Sequence, residues 1–175
     1  IRSESERLVR LIDDIIRLSR LDEGEALEST KIDLFEAAKV EAETVAQAAK
    51  KKNVTVTVQG EPVTVNGVYR LVHEIIYNLC NNAVKYNKDG GSVTVSVEPD
   101  PGGAVLSVSD TGIGIPKEDI NRVFERFYRV DKSRSRSVGG TGLGLSIVKH
   151  AAEYMGASVS LKSETGIGTE VKIVF

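Results

Sequence analysis

The sequence predicts a layered α/β (α+β) sandwich preceded by one coiled-coil-like helix. Alternating valines, Val54-Val56-Val58 and Val93-Val95-Val97, read as half-buried strands. Helical spacing recurs between such runs, and glycine turns join some strands directly into hairpins. Strands mixed with helices and hairpins bury their apolar faces as layers. A length of 175 residues suits one domain, or one domain with a short extension. An apolar content of 41% supports a core, and with no Trp, aliphatics and alanines must fill it. The net charge of −2 gives no field that would draw nucleic acid or an anionic membrane. A single cysteine, Cys80, rules out an internal disulfide framework and fits a reducing compartment. With no signal peptide and no apolar run long enough to cross a bilayer, a cytoplasmic location is expected. The chain opens mid-pattern at Ile1 without Met, as a piece of a longer protein does.

Taken in order, residues 1–23 read as a helix. Ile1, Leu8 and Ile15 repeat at seven with Leu11 and Leu18 between, and Arg, Glu and Asp fill the other faces. Such a seam suits a coiled coil or four-helix bundle, or a helix lying on its own domain. The pattern breaks after Asp22, Gly24 is a helix-stop signal, and 24–30 reads as a linker. The remaining 31–175 form the main domain. Residues 31–34 suit a short strand, 34–51 a helix, 53–59 a strand, 63–65 another and 68–87 a second helix. Two strands around Val93–Val97 and Val105–Val108 flank the turn at 100–103. Residues 117–129 suggest a short helix. The basic, Gly-rich stretch 130–142 has little to bury and is expected to be a mobile loop. A helix over 143–155 follows, then strands around Val159–Leu161 and over 170–175.

Function is written most densely in the helix at 68–87. At ~100° per residue, Val72, Ile76, Leu79, Cys80 and Ala83 share one arc. Glu74, Asn78, Asn82 and Lys85 share another, with Tyr86 at its edge. Asn is a weak helix former, so two of them one turn apart need another reason. One is a phosphate–metal face, since an amide oxygen is a hard ligand for Mg²⁺ and a lysine is a point charge for phosphate. The other is a solvated polar face, and this helix alone does not decide. Asp110-x-Gly112-x-Gly114 ends a strand, and Gly140-Thr-Gly-Leu-Gly144 opens a helix, where amides exposed by small residues can hold an anion. Neither run is a P-loop or a dinucleotide fingerprint. Asp110 can accept from an exocyclic amine such as that of adenine, or be an ordinary turn former.

The ordered set is more specific than its parts. Asn78-x-x-x-Asn82-Ala-x-Lys85-Tyr86, Asp110-x-Gly112-x-Gly114, Phe124-x-x-Phe127-Tyr-Arg129 and Gly140-Thr141-Gly142-Leu143-Gly144-Leu145 together resemble the ATP-binding catalytic domain of sensor histidine kinases, over about 31–175. Residues 1–23 resemble, less specifically, the second helix of the dimerisation hairpin. The resemblance implies a Bergerat-type ATP-binding fold, a two-layer sandwich with a mixed sheet backed by helices, and ATP with Mg²⁺ as cofactors. It implies that Asn82 holds Mg²⁺, with Asn78 supporting metal and phosphates. Lys85 and Arg129 would contact phosphates, and Tyr86 would pack near base or ribose. Asp110 would accept from the adenine amine, with Thr169 assisting through water, and Gly112 and Gly114 would admit the base. Residues 130–142 would be the ATP lid, tied down by Phe124 and Phe127. The amides of Gly140, Thr141, Gly142, Leu143, Gly144 and Leu145 would cradle the triphosphate. Implied partners are the histidine-bearing dimerisation helices of a homodimeric parent and a response-regulator receiver domain.

The sequence departs from the family in lacking a phosphoacceptor histidine box. Neither His73 nor His150 has that context, and both are given structural readings. Asn81 stands where such kinases often have Asp, with little effect expected. An ATPase or serine kinase of the same superfamily, or a nucleotide-binding pseudokinase, is the alternative. Asn78 stands where ATPase relatives place a general-base Glu.

Overall fold

A computed structural model describes residues 5, 8, 9, 11–16, 19, 27–130 and 140–175. The described residues before 20 are helical. The rest of the predicted N-terminal helix, the first part of the linker and loop residues 131–139 lie outside the described residues.

Strand β1 (Thr30–Asp33) leads into helix α1 (Leu34–Lys51). Asp33 caps that helix, its Oδ1 accepting from the N–H groups of Phe35 at 2.9 Å and Glu36 at 3.1 Å. Strands β2 (Thr55–Gly60) and β3 (Thr64–Gly67) follow, then helix α2 (Tyr69–Lys85). β4 (Ser92–Asp100) and β5 (Gly103–Asp110) form the expected hairpin. Helix α3 (Gly144–Tyr154), β6 (Ser158–Glu164) and β7 (Gly168–Val174) complete the order.

β1 and β3 make a small antiparallel pair. The main sheet has the order β2-β4-β5-β7-β6 and is mixed. β2 and β4 run parallel, which demands a crossover, and β3 with α2 provides it. The other neighbours are antiparallel. The valine alternation sets the sheet's inner face: Val93, Val95 and Val97 are fully buried, as are Ala104 and Leu106 on β5 and Ile173 on β7. Each such Val, Leu or Ile contributes roughly 1.5–3 kcal/mol by leaving water. Leu71, Val72, Ile75, Ile76, Leu79 and Cys80 of α2 press on this face, and α2 packs against both α1 and α3.

Two expectations change. Residues 117–127 are consecutive turns rather than a helix, held by contacts such as Arg122 N–H to Asp119 O at 2.8 Å and Glu125 N–H to Arg122 O at 2.9 Å. Pro116 opens the segment, and Ile120, Val123, Phe124 and Phe127 recur at helical spacing, but Phe127 is exposed and the other three only half-buried, so packing does not hold the short stripe as helix. Glu74, assigned to the polar arc of α2, is buried, with Arg70 Nη1 3.9 Å from its Oε2.

Candidate functional site

Asp110 ends β5, where the chain must leave the sheet. Its Oδ1 accepts from Gly112 N–H at 2.8 Å and from Thr169 N–H at 3.3 Å. Thr169 is its register partner on β7. Burial pushes the Asp110 carboxyl above the usual carboxylate range, and the two amide bonds pull it back in part. The glycines beside it are required by contact. A Cβ on Gly112 would collide with the Tyr86 carbonyl and lie 2.8 Å from Asp110 Oδ1. Gly114, at φ +69°, adopts a backbone that side chains resist and lies against the Glu164 carbonyl.

The polar face of α2 meets the start of α3. Asn78 Nδ2 donates to the Glu74 carbonyl at 2.8 Å, which fixes the amide and leaves Oδ1 turned outward. A Cβ at Gly144 would sit 3.1 Å from that Oδ1 and 3.4 Å from Asn82 Nδ2. Two side-chain amides therefore confront a helix N-terminus, where backbone N–H groups lack helical partners. No side chain caps that end. The face has the electrostatics of an anion site with hard oxygens at its margin.

Lys85 and Tyr86 connect the two regions. Lys85 Nζ lies 5.2 Å from the Tyr86 ring centroid. A Cβ at Gly140 would run into that ammonium. The Tyr86 carbonyl accepts from Ile113 N–H at 3.1 Å, which ties the helix end to the Asp110 loop. Burial raises the Tyr86 hydroxyl pKa while the nearby Arg129 charge lowers it, so Arg129 shares this neighbourhood.

Other predicted site residues have different settings. Leu143 is fully buried with Ile147, and Leu11 packs on both. The Leu143 N–H lies 3.4 Å from Thr141 Oγ1 and the Leu143 carbonyl accepts from Ile147 N–H at 2.9 Å, while Leu145 leans on the main core. Thr141 Oγ1 donates to Asp14 Oδ2 at 3.0 Å. Gly142, at φ +77°, accepts from Phe127 N–H at 2.9 Å, and Phe127 itself has φ +64°. Of the predicted lid at 130–142, residues 131–139 lie outside the described residues. His73 Nδ1 pairs with Glu41 Oε1 at 2.7 Å, and His150 Nε2 lies 3.5 Å from Arg126 Nη2, consistent with structural roles. Burial first, then the Glu41 charge, pushes the Cys80 thiol up to about 12, so it is inert packing.

Sequence reasoning missed the residues that hold the site together. Asn87 is buried; its Nδ2 donates to Ser92 O at 2.9 Å and its Oδ1 accepts from Lys88 N–H at 2.9 Å. Thr111 Oγ1 accepts from Ser92 N–H at 2.9 Å. Lys88 Nζ donates to the Gly166 carbonyl, bridging the α2–β4 and β6–β7 turns. Lys52 Nζ donates to the Lys85 carbonyl and lies 3.4 and 3.3 Å from the carbonyls of Val84 and Asn87. An Asn at a helix end was a readable signal for Asn87. Lys52 and Lys88 looked like any solvated lysine.

Residues 67–175 match the family model described as histidine kinase-, DNA gyrase B- and HSP90-like ATPase. Over 171 residues the chain is 40% identical to the sensor-like histidine kinase SenX3 of Mycolicibacterium smegmatis, covering 95% of this chain and 44% of that protein. It is 35% identical to the sensor histidine kinase WalK of Bacillus subtilis, covering 97% of this chain and 28% of that protein. The crystal structure of full-length ShkA in complex with AMPPNP superposes with a TM-score of 0.84 at 28% identity, over 97% of this chain and 36% of that one. The chain thus spans less than half the length of these curated relatives. Among the described residues no helix is long and apolar enough to cross a membrane.

Proposed function

The chain belongs to the histidine kinase-, DNA gyrase B- and HSP90-like ATPase family, and from that premise we propose that it is the kinase core of a sensor histidine kinase. Its task is to move the γ-phosphate of Mg-ATP to a histidine outside these 175 residues, for relay to a response-regulator aspartate. We assign residues 1–23 to the second helix of a dimerisation hairpin, 24–30 to a linker and 31–175 to the catalytic domain. The parent would be a homodimer, with this part on the cytoplasmic side.

The observation that carries this reading is the confrontation of Asn78 and Asn82 with the α3 N-terminus at Gly144, beside Lys85. The donor set suits magnesium. Among the described residues there is no cluster of three His, Cys, Asp or Glu side chains for a metal. A hard ion held by one or two amide oxygens takes its other ligands from phosphate and water, as Mg²⁺ does. Asn82 would hold the ion, with Asn78 supporting it; when bound, Mg²⁺ neutralises phosphate charge. Asp110 accepts from the adenine amine and Thr169 assists through water, while Gly112 and Gly114 admit the ring edge. Tyr86 packs near the base or ribose. Lys85, Arg129 and the amides from Gly140 to Leu145 hold the phosphates. Phosphoryl transfer needs positioning and charge neutralisation more than covalent help, and these groups supply both. The nucleophile is a neutral imidazole attacking the γ-phosphorus in line, with ADP as the leaving group.

Asn78 bears on hydrolysis. Its amide nitrogen is committed to the Glu74 carbonyl, and an amide is no base for water. Slow hydrolysis is therefore expected, and rapid Mg-dependent turnover of ATP by the purified chain would overturn the assignment. The direct test adds a histidine-bearing hairpin from a relative and radiolabelled ATP. Label that is acid-labile and alkali-stable supports transfer to histidine, whereas acid-stable, alkali-labile label marks serine and refutes it. Binding has its own check. At 100 times Kd, ATP adds about 2.7 kcal/mol to the native state. Asn82→Ala is expected to lose the Mg-dependent part of that thermal shift; an unchanged shift would remove Asn82 from the metal site.

A further inference from the structure

Ser163, on β6, belongs to none of the motifs above, yet its hydroxyl has three partners. Ile115 N–H donates to Ser163 Oγ at 2.8 Å. The Gly168 carbonyl lies 2.9 Å from it. Thr169 Oγ1 lies 2.8 Å from it. A serine hydroxyl has one proton and two lone pairs. The carbonyl can only accept, so the Ser163 proton goes there. The amide can only donate, so it takes one lone pair. The Thr169 hydroxyl must then donate into the other, and a proton chain runs from Thr169 to Ser163 to Gly168.

We infer that Ser163 is a positioning residue for base selection, fixing the Thr169 rotor so that this hydroxyl offers only lone pairs to the purine. The inference rests on the adenine site proposed above and deepens it. Thr169 pairs with Asp110 in register, and its N–H reaches the Asp110 carboxylate. With its proton spent on Ser163, the Thr169 hydroxyl stands beside that carboxylate as a second acceptor. An amino-purine edge brings donors to the pair, directly or through one water. A 6-oxopurine brings an acceptor against both. Freed from Ser163, the Thr169 hydroxyl can rotate and donate to the 6-oxo oxygen, relaxing the discrimination.

The test is the ratio of Kd values for ATP and inosine triphosphate, measured on the full chain with Mg²⁺. Ser163→Ala is expected to narrow the preference for ATP about threefold to tenfold, the weight of one hydrogen bond. Ser163→Thr keeps a hydroxyl and is expected to keep the parental ratio. In a Thr169→Val background the rotor is absent, so Ser163→Ala is expected to leave the ratio unmoved. If Ser163→Ala does not fold, Ser163→Cys, whose sulfur is a weak acceptor for the Thr169 proton, carries the same expectation. A parental ratio in Ser163→Ala, even with a lowered Tm, overturns the inference, because a purely structural serine would behave that way. Equal narrowing with and without Thr169 overturns it too, since Ser163 would then act through the Ile115 loop. A parent that binds ATP without preferring it refutes the selection device alone, whereas a parent that binds neither nucleotide refutes the site and this inference together.

Discussion

Asp110 is held where its charge is unwelcome. Burial raises its carboxyl pKa, so the fold binds that proton more tightly than the unfolded chain does. Its contribution to stability is therefore fullest below the ordinary carboxylate pKa, and is lost as pH climbs through the raised value. Asp110→Asn escapes this cost, because its amide oxygen can still accept from Gly112 and Thr169. The nucleotide-free variant is expected to melt at or above the parent at pH 7, with the gap closing as pH falls to the ordinary carboxylate value. Its ATP-induced shift is expected to shrink, because an amide nitrogen then faces the amine. Melting curves across pH, with and without ATP, check both halves; a lower nucleotide-free Tm at neutral pH would contradict the first. Gly112→Ala is different in kind. Its methyl would meet the Tyr86 carbonyl and Asp110 Oδ1. Such overpacking costs about 1–3 kcal/mol and would misplace both groups. Loss of the ATP shift together with a lowered urea midpoint is the expected result.

At the scale of elements, the end of α2 is where stability and site geometry coincide. Carbonyls at a helix end run short of helical partners, and the Lys52 ammonium, from the cap of α1, collects those of Val84 and Lys85 with that of Asn87 just beyond. A cation there also complements the helix dipole. Lys52→Met is expected to lower the unfolding free energy by roughly 1.5–3 kcal/mol, the range for hydrogen bonds to a charged group. Urea denaturation would measure it, and an unchanged midpoint would mean water replaces the ammonium without loss. Nothing in the sequence advertised this clamp, because its partners are backbone oxygens brought near by tertiary folding. The alternating valines and the α2 stripe were legible because their periods are local properties of the chain. The same periodicity misplaced Glu74, which helical angle alone puts beside Asn78 but which packing turns inward. It also overcalled 117–129, where Ile120, Val123, Phe124 and Phe127 keep helical spacing but short-range turns win because that stripe is only partly buried.

At the scale of the whole molecule, described residues of the first helix touch the site. Leu11 packs on Leu143 and Ile147, and Asp14 accepts from Thr141. Leu11→Ala is expected to cost about 1–2 kcal/mol, below the range for a fully buried leucine, since Leu11 is only half-buried. It would also speed amide exchange at Leu143 and Ile147; unaltered exchange there would show the contact to be incidental. The seven-residue seam of 1–23 said that this helix wanted a partner, but not that Leu143, embedded in a glycine run, would be one. The order of the strands also governs how a bound nucleotide would be released as the fold loosens. β5 is the innermost rung of the sheet, bonded on both sides, and Asp110 is its final residue. Subglobal opening begins at margins and loops, and reaches such a strand last. Under mild denaturant, the triphosphate grip should therefore fail while the purine is still recognised.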